Sequence, residues 1–103
     1  MPAAKLSDSG VRPGQELKLC LYVAGGAPNS ELARGRLVEM LASLPPGASD
    51  LEIVDILENP GRAEADRIWL TPTLVKLAPL PQQRVVGSLT DAALLRRILG
   101  GTR

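Results

Sequence analysis

Thr71-Pro72-Thr73 opens directly into the apolar run Leu74-Val75-Lys76-Leu77, and this junction restricts the fold more than any other stretch of the chain. A proline at the doorstep of a strand costs no ladder hydrogen bond, and a cis peptide is within reach there. A third strand is therefore expected over Thr73–Leu77. Upstream, Leu17 to Ala24 is apolar at almost every position, as in a central strand covered on both faces. Leu51 to Leu57 reads as a second strand with Asp55 near its end.

Between these strands the period changes. Gly25-Gly26-Ala27-Pro28-Asn29-Ser30 breaks the first strand and offers Asn29 and Ser30 as caps for a helix starting at Glu31. Leu32, Ala33, Leu37, Val38, Met40, Leu41 and Leu44 follow the helical period, while Arg34, Arg36 and Glu39 lie off that face. Gly35 weakens the helix by roughly 1 kcal/mol relative to alanine. Pro45-Pro46-Gly47 ends it, so strand, helix and strand form a parallel unit with a right-handed crossover. Asn59-Pro60 then begins a short helix over Gly61–Trp69. After the third strand, Pro79 to Gln83 forms a turn and Arg84–Gly87 a short edge strand antiparallel to it. Thr90 or Ser88 caps a last helix whose buried stripe is Ala92, Leu94, Leu95, Ile98 and Leu99, with Asp91, Arg96 and Arg97 on the wet side. Gly100-Gly101 stops it. The order β-α-β-α-β-β-α, with proline entering the third strand, is the thioredoxin-type topology: an α/β fold on a mixed four-stranded sheet.

A chain of 103 residues holds one domain, and by size scaling it buries roughly 65% of its unfolded surface. Residues 16–101 form that domain, and Met1–Gln15, polar and without period, reads as a disordered lead. With aromatic residues at 2% and no Phe, the core must come from Leu, Ile, Val and Ala, and stacking on bases is poorly supplied. A net charge of +1 argues against nucleic acid and against an anionic membrane as partners. No apolar run is long enough to span a bilayer, and no signal-peptide centre is present. The lone Cys20 suits a reducing compartment, so a cytoplasmic protein is expected.

Redox enzymes of this topology carry Cys-x-x-Cys where the first helix begins, because the helix N-terminus lowers a thiol pKa. Here that position reads Gly26-Ala27-Pro28-Asn29-Ser30, without sulfur. Cys20 lies mid-strand, where burial makes a poor nucleophile. With no His and no second Cys, neither a zinc site nor a catalytic triad has ligands to draw on. Asp50, Glu52, Asp55, Glu58, Glu64 and Asp66 read as solvated faces rather than an acid/base pair, and Ala24-Gly25-Gly26-Ala27 lacks the Lys-Ser/Thr ending of a phosphate loop. No catalytic residue, cofactor or metal is expected.

Leu21-Tyr22-Val23-Ala24-Gly25, Pro28-Asn29-Ser30, Ile53-Val54-Asp55-Ile56-Leu57, Asn59-Pro60, Ala63-Glu64, Asp66-Arg67-Ile68, Thr71-Pro72-Thr73-Leu74 and Arg84-Val85-Val86-Gly87 together resemble the KaiB family of circadian clock proteins. The likeness runs from about Leu17 to Leu99. It implies a non-enzymatic regulator that binds the ring of a KaiC-type hexameric ATPase/kinase and modulates its phosphorylation cycle. A SasA-type sensor histidine kinase is implied as a competitor for the ring, and a homo-oligomer, dimer or tetramer, as the free state. The resemblance also implies two folds, the thioredoxin-like one and a rearranged ground state. Thr71-Pro72, Pro79 and Pro81 fall in the segment that rearranges, and slow X-Pro isomerisation offers a conformational step there. Ile98, in a good helix where many members carry glycine, favours the thioredoxin-like state. The partner contact implied by the resemblance falls on Asp50, Leu51, Glu52, Arg67, Lys76 and Arg84, with an acidic start to the second strand where relatives tend to carry lysine. The other function class left open is a thioredoxin-like adaptor in stress signalling, redox-inactive or dependent on Cys20.

Overall fold

The computed structural model describes residues 16–99. Its elements are β1 (Leu17–Val23), α1 (Pro28–Leu41), β2 (Ser49–Asp55), α2 (Pro60–Ala65), β3 (Thr73–Ala78), β4 (Gln83–Val86) and α3 (Ala92–Leu99). The four strands form one sheet in the order β2-β1-β3-β4. β1 runs parallel to β2 and antiparallel to β3, which is antiparallel to β4. The continuous apolar run of β1 is explained by this interior place, with helices on both sides. Odd-numbered Leu17, Leu19, Leu21 and Val23 pack with Leu74 against Ala33 and Leu37 of α1 and Leu95 and Leu99 of α3. Even-numbered Cys20 and Tyr22 face the other way, with Val54, Val75 and Ile68, beneath α2.

Several boundaries differ from the sequence expectation, each for a local reason. α1 starts at Pro28 rather than Glu31, with Ala27 as N-cap and no side-chain cap. Proline suits the first helical turn, where its N–H would have no intrahelical partner. Ser30 is therefore inside the helix, buried, and its hydroxyl accepts the Ala24 N–H at 3.1 Å. Leu32 and Val38 do not join the core: they stay 48% and 50% exposed, and the buried stripe narrows to Ala33 and Leu37 flanked by Met40, Leu41 and Leu44. α2 is six residues long and ends at Ala65, well before Trp69. At α3 the cap is Asp91, whose Oδ1 accepts the Leu94 N–H at 3.0 Å; neither Ser88 nor Thr90 fills that role. Leu95, Ile98 and Leu99 are buried as the stripe requires. The Met1–Gln15 lead, the Gly100-Gly101 stop and the Ala92 side chain lie outside what is described.

Thr73 begins β3 directly after a buried Pro72. The peptide bonds before Pro72, Pro79 and Pro81 are cis. The Pro72 carbonyl accepts the Gly87 N–H at 2.8 Å, which joins the start of β3 to the end of β4. At the other end of the sheet connection, Asp55 closes β2 by accepting both the Gly25 and the Leu57 N–H on Oδ1, each at 3.0 Å. Gly25 has φ +56°, the left-handed region, and an added Cβ would stand 3.2 Å from Leu57 Cδ1. Gly25→Ala is expected to cost about 1 kcal/mol in a urea titration, because the backbone term dominates and the leucine methyl can move. Among the described residues no helix is long and apolar enough to cross a membrane.

Candidate functional site

The side of the sheet beneath α2 gathers most of the side-chain pairs among the described residues. Arg62, on α2, forks onto Glu52 of β2, with Nη1 donating to Oε2 at 2.9 Å and Nη2 to Oε1 at 3.1 Å. Its Nε approaches Asp66 Oδ2 at 3.4 Å, one turn further along. The same oxygen accepts the Tyr22 hydroxyl at 2.5 Å. Tyr22 comes from β1, so α2 is fastened to β1 through Asp66 and to β2 through Arg62. Polar fastening matters here because no residue of α2 itself is buried. Ala63, partly buried, and Ile68, just past the helix, supply its apolar contact.

The charges respond as these contacts dictate. The Asp66 carboxyl is held below its ordinary range, chiefly by the Tyr22 hydroxyl and then by Arg62, against partial desolvation. Glu52 is lowered by the hydrogen-bonded Arg62 guanidinium. Tyr22 is raised, first by burial and then by its bond to Asp66, which favours the neutral phenol. Burial likewise pushes the Cys20 thiol up. Its Sγ lies 3.9 Å from both Arg62 Nη2 and Glu52 Oε1, too far and too enclosed to yield a reactive thiolate. The start of α1 presents Ala27, Pro28 and Asn29 to solvent and no sulfur. Among the described residues no three metal-ligating side chains cluster.

The residues implied as partner contacts do not all meet. Glu52 and Arg84 lie on the α2 side of the sheet, Arg84 standing opposite Val75 in the β3–β4 register. Arg67 is exposed in the turn after α2 and has φ +58°. Asp50 is exposed near the start of the edge strand β2, opposite Lys18. Leu51 turns to the other face, against the α1 side of the core. Lys76 is buried at 4% exposure and pairs with Leu19, so it is removed from the basic positions on the α2 side. Sequence reasoning passed over Arg62 and Asp66 as a pair, although their spacing of four on a helix was a usable signal. It also gave no weight to Leu57, Trp69 and Leu70, which flank α2 and are 69%, 79% and 63% exposed.

Comparison with known proteins gives a consistent set of likenesses. A sequence model described as the KaiB domain matches residues 20–100. The circadian clock oscillator protein KaiB of Prochlorococcus marinus (strain MIT 9313) is 44% identical over 79 residues, which cover 77% of this chain and 66% of that protein. Among solved structures, the N-terminal domain of Synechococcus elongatus SasA superposes with a TM-score of 0.68 at 28% identity, over 88% of this chain and 90% of that one. Chloroplastic thioredoxin z reaches a TM-score of 0.72 at 20% identity, over 94% of this chain and 84% of that one, a likeness of fold.

Proposed function

The chain belongs to the KaiB family, and from that premise we propose that it is a non-enzymatic clock regulator which binds the ring of a KaiC-type ATPase/kinase and modulates its phosphorylation cycle. The observation that carries this reading is a KaiB-domain match running the length of a thioredoxin-like fold that has one buried cysteine and no cysteine pair. Redox members of this topology carry a cysteine pair where the first helix begins, and a lone Cys20 buried in β1 supports a binding role over thiol chemistry.

The contact is assigned to the α2 side and the adjoining edge of β2. Asp50 and Glu52 present acid there, Arg67 presents base with Arg84 bonded behind it to the end of α2, and Leu57, Trp69 and Leu70 supply exposed apolar surface. Leu51 contributes from the half-buried side of the strand. Mixed charge around apolar groups suits a protein surface better than a polyanion. Lys76 would have to be uncovered before it could reach a partner, which a second, rearranged fold of residues beyond β2 would allow. The likeness to the SasA domain supports a sensor kinase as a competitor for the same ring. A dimer or tetramer in the free state and a cytoplasmic location complete the proposal.

Native mass spectrometry of the full chain with the KaiC-type ring of the same host, under ATP and under ADP, tests it. Bound chains on the ring in at least one nucleotide state are expected. No complex in either state would reject the proposal.

A further inference from the structure

α2 ends in a Schellman motif built on the wrong residue type. The Ile68 N–H donates to the Ala63 carbonyl at 2.8 Å and the Arg67 N–H to the Glu64 carbonyl at 3.2 Å, the paired bonds that define such an ending. Ile68 and Ala63 also share the apolar cluster beneath the helix, the contact that usually accompanies it. The residue in the left-handed position is normally glycine, whereas here it is Arg67 at φ +58°. A side chain at that angle strains the backbone and persists only where its surroundings hold it.

The holding group is Arg84. Its guanidinium reaches from β4 and donates through Nη2 to the Asp66 carbonyl at 2.7 Å and through Nη1 to the Arg67 carbonyl at 3.0 Å. Both arms of the fork are thus spent on consecutive main-chain oxygens at the carbonyl end of α2, where a cation is also favoured by the helix dipole. The Arg67 guanidinium has no hydrogen bond or ion pair among the described residues and is exposed, as is Trp69 two positions on.

We propose that Arg84 is the positioning residue of the partner contact: it clamps the strained turn so that Arg67 and Trp69 are presented to the ring, and does not itself carry the contact. The inference rests on the ring-binding reading, and it changes the role of a residue that resemblance alone would place in the interface. Lysine cannot replace the clamp, since a point donor does not span two carbonyls as a fork does.

The test has an arm in the free protein and an arm with the ring. By amide hydrogen exchange, Arg84→Met and Arg84→Lys are both expected to speed exchange at Arg67 and Ile68 about tenfold, from the loss of charge-assisted bonds. Leu21 and Leu74 should keep wild-type rates. In ring binding, Arg84→Met is expected to weaken affinity about tenfold in the wild-type background and by less than about twofold in an Arg67→Ala, Trp69→Ala background, as a double-mutant cycle requires of coupled residues. Unchanged exchange at Arg67 and Ile68 would overturn the clamp. Additive losses in the cycle would overturn the positioning role and return Arg84 to the interface. A wild-type chain that binds no ring rejects the functional reading and the partner half of this inference, while the exchange arm still decides the clamp.

Discussion

Leu21→Ala is expected to lower the unfolding free energy by about 2–5 kcal/mol, read as a fall in the urea midpoint at unchanged slope. Leu21 is fully buried, at 0% exposure, in the interior strand β1. It is held in ladders on both sides, opposite Ile53 in β2 and Leu74 in β3. A strand pinned in this way cannot collapse into the space that a leucine leaves, so both the transfer and the cavity contributions are felt. Domains of this size are stable by only about 5–15 kcal/mol, so the loss is a large share of the whole. Leu32→Ala is the matched control. Leu32 carries the same side chain but is 48% exposed on α1, and its loss should stay under about 1 kcal/mol.

That pair of leucines marks how far the sequence could be read. Element order, the interior place of β1, the strand-opening Pro72 and the antiparallel β3–β4 pair were legible because each rests on local chemistry: an unbroken apolar run, a missing N–H, a turn between short strands. Helical period placed Leu32 and Val38 in the core because period gives a face and not its width. How far round α1 the core extends depends on the sheet it meets. The helix starts misread for a similar reason. Asn29, Ser30, Ser88 and Thr90 all have capping chemistry, and only the backbone path selects Ala27 and Asp91 instead. For the candidate site, Glu52 and Arg84 were named and share a face, yet the contacts that give them roles join residues 10 and 18 positions apart. Lys76 is buried because strand alternation turns it away from the face that Val75 and Arg84 share. Nothing in the sequence marked Arg67 as left-handed, since glycine is the usual flag for that conformation.

Asp66→Asn should remove about 1 kcal/mol at pH 7, less than a buried hydrogen bond to a charged acceptor because the carboxylate side chain is 36% exposed, and should also flatten the acid limb of the stability curve. The Asp66 carboxylate is lowered first by the Tyr22 hydroxyl and next by Arg62, so the folded state binds its proton less readily than the unfolded chain does. A depressed folded pKa contributes stability that is fully present above the unfolded value near 4 and is lost as pH falls through the folded one. Glu52, lowered by Arg62, adds a contribution of the same sign. Wild-type protein should therefore lose stability steadily below about pH 4, while Asp66→Asn begins lower and falls less steeply, so that the curves converge in acid. Tyr22→Phe separates the two donors: the phenol hydrogen bond goes, Arg62 remains, and the acid slope should lie between the others. Urea midpoints measured at several pH values would read all three. Parallel wild-type and Asp66→Asn curves would show that the carboxylate does not fasten α2 to β1, and the α2 side of the sheet would then owe its order to Ile68, the Arg62–Glu52 pair and the Arg84 clamp.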